Sequence, residues 1–133
     1  MAAAKTFTIT RLTKEGVPIL PFLRMKNMVL GKKYCLSLVT VSDAYARKLN
    51  RTYRKKDSVP DILSFSLEKG LGEVVLDPRQ ARRECNSRGE SLRFFVALLF
   101  IHALLHLKGW HHGSTMERQE QKLLLTFHIK NSS

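Results

Sequence analysis

Acidic residues are scarce in this chain: 11 stand against 23 lysines and arginines, a formal charge of +12. A surplus of that size repels itself and favours polyanionic partners, whose counterions are released on contact. Nucleic acid is the expected partner, ahead of an anionic membrane. Cysteine is nearly missing as well. Cys35 and Cys85 lie far apart and in no CxxC pair, which excludes a disulfide framework and predicts two reduced, packed thiols. Long apolar runs are also lacking. Residues 1–10 have no apolar segment of the kind a secretory signal needs. The most apolar stretch, 94–107, is interrupted by His102 and His106 and is too short and too polar to span a bilayer. A cytoplasmic protein without a membrane partner is expected. No repeat, low-complexity tract or linker divides the chain.

What is present suffices for one core. Apolar residues make up 44% of 133 residues, which predicts a single domain over 1–133. Weak alternation over 7–12 and clearer alternation over 34–41, with Leu36, Leu38 and Thr40 on one side, predict strands. Residues 18–30 carry Ile19, Leu20, Leu23, Met25 and Met28 at helical spacing and stop at Gly31, a favourable helix end. Ser42 is a cap for a helix over 43–53. Two short strands, 62–67 and 73–76, are expected to join through Gly70 and Gly72. Pro78 introduces a helix over 79–87. A long helix begins at Ser91, runs to residue 107 and ends near Gly109. A last helix covers 116–129, capped by Ser114 or Thr115 and carrying an exposed His128. The order predicts an α+β domain: a small mixed sheet packed with helices.

The informative stretch is His102-Ala-Leu-Leu-His106-Leu-Lys-Gly-Trp-His-His112. On a helix, His102 and His106 stand one turn apart on one face. Both imidazoles can reach one ion at roughly 2.0–2.1 Å. Gly109 ends the helix, and the returning chain brings His111 or His112 to the same ion. A histidine pair at this spacing is more often packed or exposed than ligating. These two, however, sit in an apolar helix where unpartnered imidazoles are costly. Three protein ligands leave the fourth position of a tetrahedral zinc open, the mark of a catalytic site. The zinc-protease motif H-E-x-x-H places its general base after the first histidine. Ala103 stands there, which argues against a peptidase.

These residues resemble the signatures of the YbeY family of metal-dependent endoribonucleases, also called rRNA maturation factors. The family's H-G-x-L-H-L-x-G-Y-D-H is similar to HALLHLKGWHH here. Its L-N-x-x-Y-R-x-K-D-x-x-T-D-V-L-S-F is similar to LNRTYRKKDSVPDILSF over 49–65, and its L-G-D-I to Leu71-Gly72-Glu73-Val74. Ala103, Trp110, His111, Pro60, Glu73 and Phe95 depart from the family pattern; the three metal histidines and Arg54 do not. The resemblance implies a zincin-like domain with the H-x-x-x-H helix at its centre. One zinc, or another divalent transition metal, would be held by His102, His106 and His112, with His111 as the alternative third ligand. It also implies single-strand-specific cleavage of RNA in 16S rRNA 3′-end maturation and ribosome quality control, with rRNA and the small ribosomal subunit as partners. The rival classes are a non-catalytic ribosome-binding assembly factor with a structural metal and a metal-dependent hydrolase of small phosphoesters.

Arg54 matches the family's signature arginine. A guanidinium can clamp two phosphoryl oxygens, whereas without the resemblance a surface ion pair to Asp57 or Asp61 would be the ordinary reading. Arg47, Lys48, Arg51 and Lys55 lead into it without an intervening acid and are read as an RNA backbone track, against the usual alternative of a solvated helix face. Arg79, Arg82, Arg83 and Arg88 are candidates to extend it. Asp61, Ser64 and Phe65 are expected at a strand edge beside the cleft, with Phe65 in the core.

Overall fold

A computed structural model describes residues 6–131, so the two ends of the expected 1–133 domain lie outside the described residues. Nine elements follow in the order β1 (Phe7–Arg11), α1 (Phe22–Leu30), β2 (Cys35–Thr40), α2 (Asp43–Arg54), β3 (Ile62–Glu68), β4 (Leu71–Leu76), α3 (Pro78–Arg88), α4 (Leu92–Lys108) and α5 (Ser114–Thr126). The sheet order is β1-β2-β4-β3. β1 and β4 both run parallel to β2, and β3 runs antiparallel to β4. The sheet is therefore mixed, as the α+β reading expects, and β3 is one of its two edges.

Both faces of the sheet are covered, and strand alternation decides which residue goes to which side. Leu36, Leu38, Val74 and Leu76 join the main core with α1, α4 and α5. Val39, Val41, Val75 and Leu63 face the other way and close on Ala46 of α2. This is why β2, a central strand, is buried on both sides although its sequence alternates. α4 sits at the centre: Ala97, Ile101 and Leu104 are fully buried. It meets β3, α1, α3 and α5. No single helix among the described residues is long and apolar enough to cross a membrane; α3 and α4 pass such a test only as a pair bent by 114°.

Helix ends follow local chemistry. Ser42 caps α2 by accepting the Tyr45 N–H, and Ser91 caps α4 by accepting the Phe94 N–H. Asp77, unrecognised in the sequence, caps α3 through the Arg79 and Gln80 N–H groups. α5 begins at Ser114 behind Gly113 without a side-chain cap, so neither Ser114 nor Thr115 is the cap the sequence suggests. It also ends at Thr126, and the exposed His128 lies beyond it with φ 56°.

Three further expectations are corrected. α1 starts at Phe22 rather than residue 18 because Pro21, inside the expected span, lacks an N–H and clashes with a preceding turn. Its buried face is Phe22, Met25, Lys26 and Val29, while Ile19, Leu23 and Met28 are exposed. Lys26 is tolerated in the interior because its Nζ donates to the carbonyls of Gly31, Lys32 and Tyr34, tying the end of α1 to the start of β2. Burial holds its pKa below the usual lysine value. Phe65 is half-buried on the α2 side, edge-on to Tyr53, packed against the core there but not enclosed in it. Cys85 is buried and Cys35 half-buried, both as free thiols.

Gly72 lies inside β4, not in the β3–β4 turn. A Cβ there would press on the Tyr34 hydroxyl and come within 3.2–3.3 Å of both Leu107 methyls. Gly72→Ala should therefore cost about 1–3 kcal/mol, the usual range for overpacking, as a lowered urea midpoint at unchanged slope. A cost within the noise of a surface substitution would show that β4 can shift to make room.

Candidate metal centre

α4 ends in a return turn that assembles the site. Gly109 adopts φ 106°, its N–H reaches the carbonyls of Leu105 and His106, and the Trp110 N–H also reaches Leu105. Only a residue tolerant of left-handed angles closes a helix this way at little cost. The turn delivers the Trp110 carbonyl to the Nδ1 of His106 at 3.1 Å. It also carries His112 over the face that His102 and His106 share. The three ring centroids lie 4.5–4.7 Å apart. One ligand atom from each of the three lies within 4.8 Å of the others. His111, the alternative third ligand, is exposed beside His112.

The hydrogen bonds set which nitrogens face inward. A carbonyl oxygen only accepts, so His106 carries its proton on Nδ1. His102 turns its own Nδ1 to the carboxylate of Glu120 at 3.1 Å, and Glu120 is buried at 6% exposure. In the neutral rings both lone pairs are then on Nε2, and those two atoms face each other at 3.0 Å. Two acceptors at that distance repel. A cation between them removes the repulsion, and the arrival of a third imidazole makes the set one that suits zinc, copper, iron or nickel. Histidines that ligate metals usually donate their second nitrogen to a carboxylate or a carbonyl, as both do here. The donor set fits the ion. Burial and the neighbouring His102 hold the pKa of His106 below the ordinary value, which keeps its lone pair available. Glu120 was not singled out in the sequence; its only signal there was a carboxylate on the apolar side of α5, on a turn with Met116, Leu123 and Leu124.

The histidines line a cleft of about 860 Å³ whose opposite wall is β3, with Asp61, Ser64 and Ser66 facing in. Arg54, at the end of α2, reaches over that wall. Its Nη2 donates to the Ser64 carbonyl at 2.7 Å and its guanidinium lies 5.0 Å from the Phe65 ring centre. It is exposed and makes no ion pair to Asp57 or Asp61 of the kind the sequence left open. Arg88 and Lys56 also line the cleft; Lys56 directly follows Lys55 in the basic run but is not one of the four residues read as the track.

The expected track sits elsewhere. Arg47, Lys48, Arg51 and Lys55 are exposed on and just past α2, outside the cleft lining. Arg47 and Arg51 share Asp57, at 2.8 and 3.6 Å, so part of their charge is offset. Of the four candidate extensions, Arg88 alone lines the cleft. Arg83 is engaged by Asp43 and Arg79 by Glu15.

At the α3 end of the cleft Asp61 is half-buried beside Glu84. Burial, then the hydrogen bond and charge of Glu84, push its pKa up to about 7, against a smaller opposing pull from the Ile62 N–H. It accepts that N–H at 2.6 Å. The cleft thus holds a carboxyl that changes charge near neutral pH.

Comparison with known proteins agrees with this geometry. A family model described as Endoribonuclease YbeY matches residues 5–128. The chain is 38% identical over 100 residues to an endoribonuclease YbeY of Pelotomaculum thermopropionicum, a match covering 67% of this chain and 66% of that protein. It is 39% identical over 117 residues to one from Helicobacter pylori strain Shi470, covering 81% and 84%. A solution structure from Thermotoga maritima shares the fold, with a TM-score of 0.60 over 87% of this chain and 85% of that one, at 21% identity.

Asp61 gives a signed pH effect. Its folded pKa is raised, so its contribution to stability is full below the unfolded value near 4 and is lost as pH rises through about 7. Asp61→Asn should therefore gain stability relative to the parent protein as pH rises from 4 to 7, with a plateau above. Parallel denaturation curves for the two proteins across that range would show the Asp61 charge to be solvated.

Proposed function

This chain belongs to the YbeY endoribonuclease family, and from that premise we propose that it is a single-strand-specific, zinc-dependent endoribonuclease. Its task on this reading is the maturation of the 16S rRNA 3′ end and ribosome quality control, in the cytoplasm and on the small ribosomal subunit. The observation that carries the reading is the pair of Nε2 atoms aimed at each other at 3.0 Å, joined by His112 in a cleft that also holds Arg54.

His102, His106 and His112 would hold the ion. When bound, it supplies Lewis acidity, making water a stronger nucleophile near neutral pH and polarising a phosphoryl oxygen. The chain does the rest. Glu120 and the Trp110 carbonyl fix the ring orientations of His102 and His106. Arg54 is held by one guanidinium nitrogen on the Ser64 carbonyl and by the Phe65 face, which leaves its other N–H groups for the non-bridging oxygens of a phosphodiester. Arg88 lies over the Phe95 ring in the same cleft, with its Nε donating to Glu90 at 2.6 Å and its terminal nitrogens left for a phosphate. Asp61, neutral below about pH 7, adds no negative charge to the cleft, where an ionised carboxylate would repel the substrate backbone.

Metal analysis of the purified protein, combined with cleavage of single-stranded and duplex RNA with and without a chelator, tests the assignment. One transition metal per chain and chelator-sensitive cutting of the single strand are expected. Binding without cutting would favour the assembly-factor class. Arg54→Ala should lower cleavage by about 10²–10³, the usual loss for a donor to developing negative charge, while metal content stays near that of the parent. Equal cleavage by the variant would reduce Arg54 to a surface charge.

The basic face of α2 has its own test. Each phosphate neutralised on a single strand contributes a slope of about −0.7 in log affinity against log salt. Replacing Arg47, Lys48, Arg51 and Lys55 together should flatten the slope by up to about 3, less the share that Asp57 already offsets. An unchanged slope would make this a solvated helix face.

A further inference from the structure

The histidine cluster lies between two openings, not at the end of one. On its far side a second groove, of about 940 Å³, runs along α5. It shares Arg88, Leu98, His102, His112 and Glu120 with the cleft under β3, so the two are continuous across the imidazoles. The groove exists because α5 is amphipathic. Met116, Glu120, Leu123 and Leu124 are buried against α4. The face that is left carries Arg118 and Lys122, one turn apart, with Gln121 and Leu125, and all four are exposed.

We propose that single-stranded RNA crosses the histidine cluster, entering through the cleft beside Arg54 and leaving along α5, where Arg118 and Lys122 hold its backbone phosphates. The inference rests on the endoribonuclease reading and adds the second half of the strand's path. Charge selects the occupant. Arg88, Arg118 and Lys122 line the groove against Glu117 and Glu120; Glu120 is engaged by His102 and Arg88 by Glu90, which leaves Arg118 and Lys122 as the cations facing the groove against Glu117. Arg118 is steadied by a hydrogen bond to Thr115 at 3.3 Å. Side chains four apart on a helix stand about 5–6 Å from each other at Cβ, so the pair can address successive phosphates of an extended strand. Both flanks of a cleavage point between the two grooves would then be gripped, which an endonuclease needs and an enzyme trimming from a free end does not.

Equilibrium binding of fluorescent single-stranded RNAs of about 4 and about 16 nucleotides, lengths that bracket usual single-strand site sizes, tests the path. Anisotropy is read across a salt series, before cleavage, for four proteins: the parent, R118A/K122A, the charge-matched control K14A/K69A and the conservative R118K/K122R. Thermal midpoints check folding, and R118Q/K122Q replaces the alanine pair if that pair melts early. R118A/K122A should flatten the salt slope for the longer RNA by up to about 1.4 and shrink the affinity gained with length. The control and R118K/K122R should keep both. A parent-like slope in R118A/K122A, or an equal loss in the control, overturns the α5 path while leaving the cleft as the RNA site. A parent protein that binds neither RNA overturns the endoribonuclease reading and this inference with it.

Discussion

Two imidazole nitrogens that face each other at 3.0 Å are the constraint around which the rest of the molecule is arranged. The arrangement is unfavourable for neutral rings alone, so each ring has to be held from behind. Glu120 holds one from α5 and the Trp110 carbonyl holds the other from the turn after α4. Both supports depend on the core. α5 is fixed by Met116, Leu123 and Leu124, and α4 by its packing between the sheet and three other helices. A close-packed core has little room to relax, which would keep the three imidazoles pre-positioned.

The second theme is the contrast between net charge and local charge. The chain is strongly basic overall, yet buried or half-buried carboxyls stand at the places where the helices meet the cleft. Asp61 and Glu84 lie close together at one end, and Glu120 stands behind His102. Positive charge on the exposed faces draws a polyanion toward the molecule from a distance, within the screening length of the medium. Inside the cleft the balance is finer. Arg54 is steadied by the Phe65 face and the Ser64 carbonyl, so its charge stays available to a substrate, whereas Arg88, over Phe95, shares its charge with Glu90 at 2.6 Å.

Where periodicity was strong, the elements could be read directly. The α4 helix, its Ser91 cap and its Gly109 end depend on neighbouring residues alone, and the same holds for α2 with Ser42. Boundaries failed where a proline overrode an apolar pattern, as at Pro21, or where a glycine served packing instead of turning, as at Gly72. The buried face of α1 was misread because Met28 and Leu23 looked like core and Lys26 did not. Only the three carbonyls gathered around its ammonium make Lys26 an interior residue, and all three belong to the connection between α1 and β2.

The same division runs through the site. The sequence by itself determined the ligand types, the one-turn spacing of His102 and His106, the glycine that turns the chain back, and a basic character suited to nucleic acid. These are local or compositional properties, so a linear string carries them. Tertiary structure alone decided that His112 closes the triad, that Glu120 arrives from another helix to orient His102, and that Arg54 rests on β3. It also decided that the histidines lie between two grooves, with the α2 basic run outside both. Each of those facts depends on where two elements distant in the chain come to pack, and that is set by the shape of the shared core.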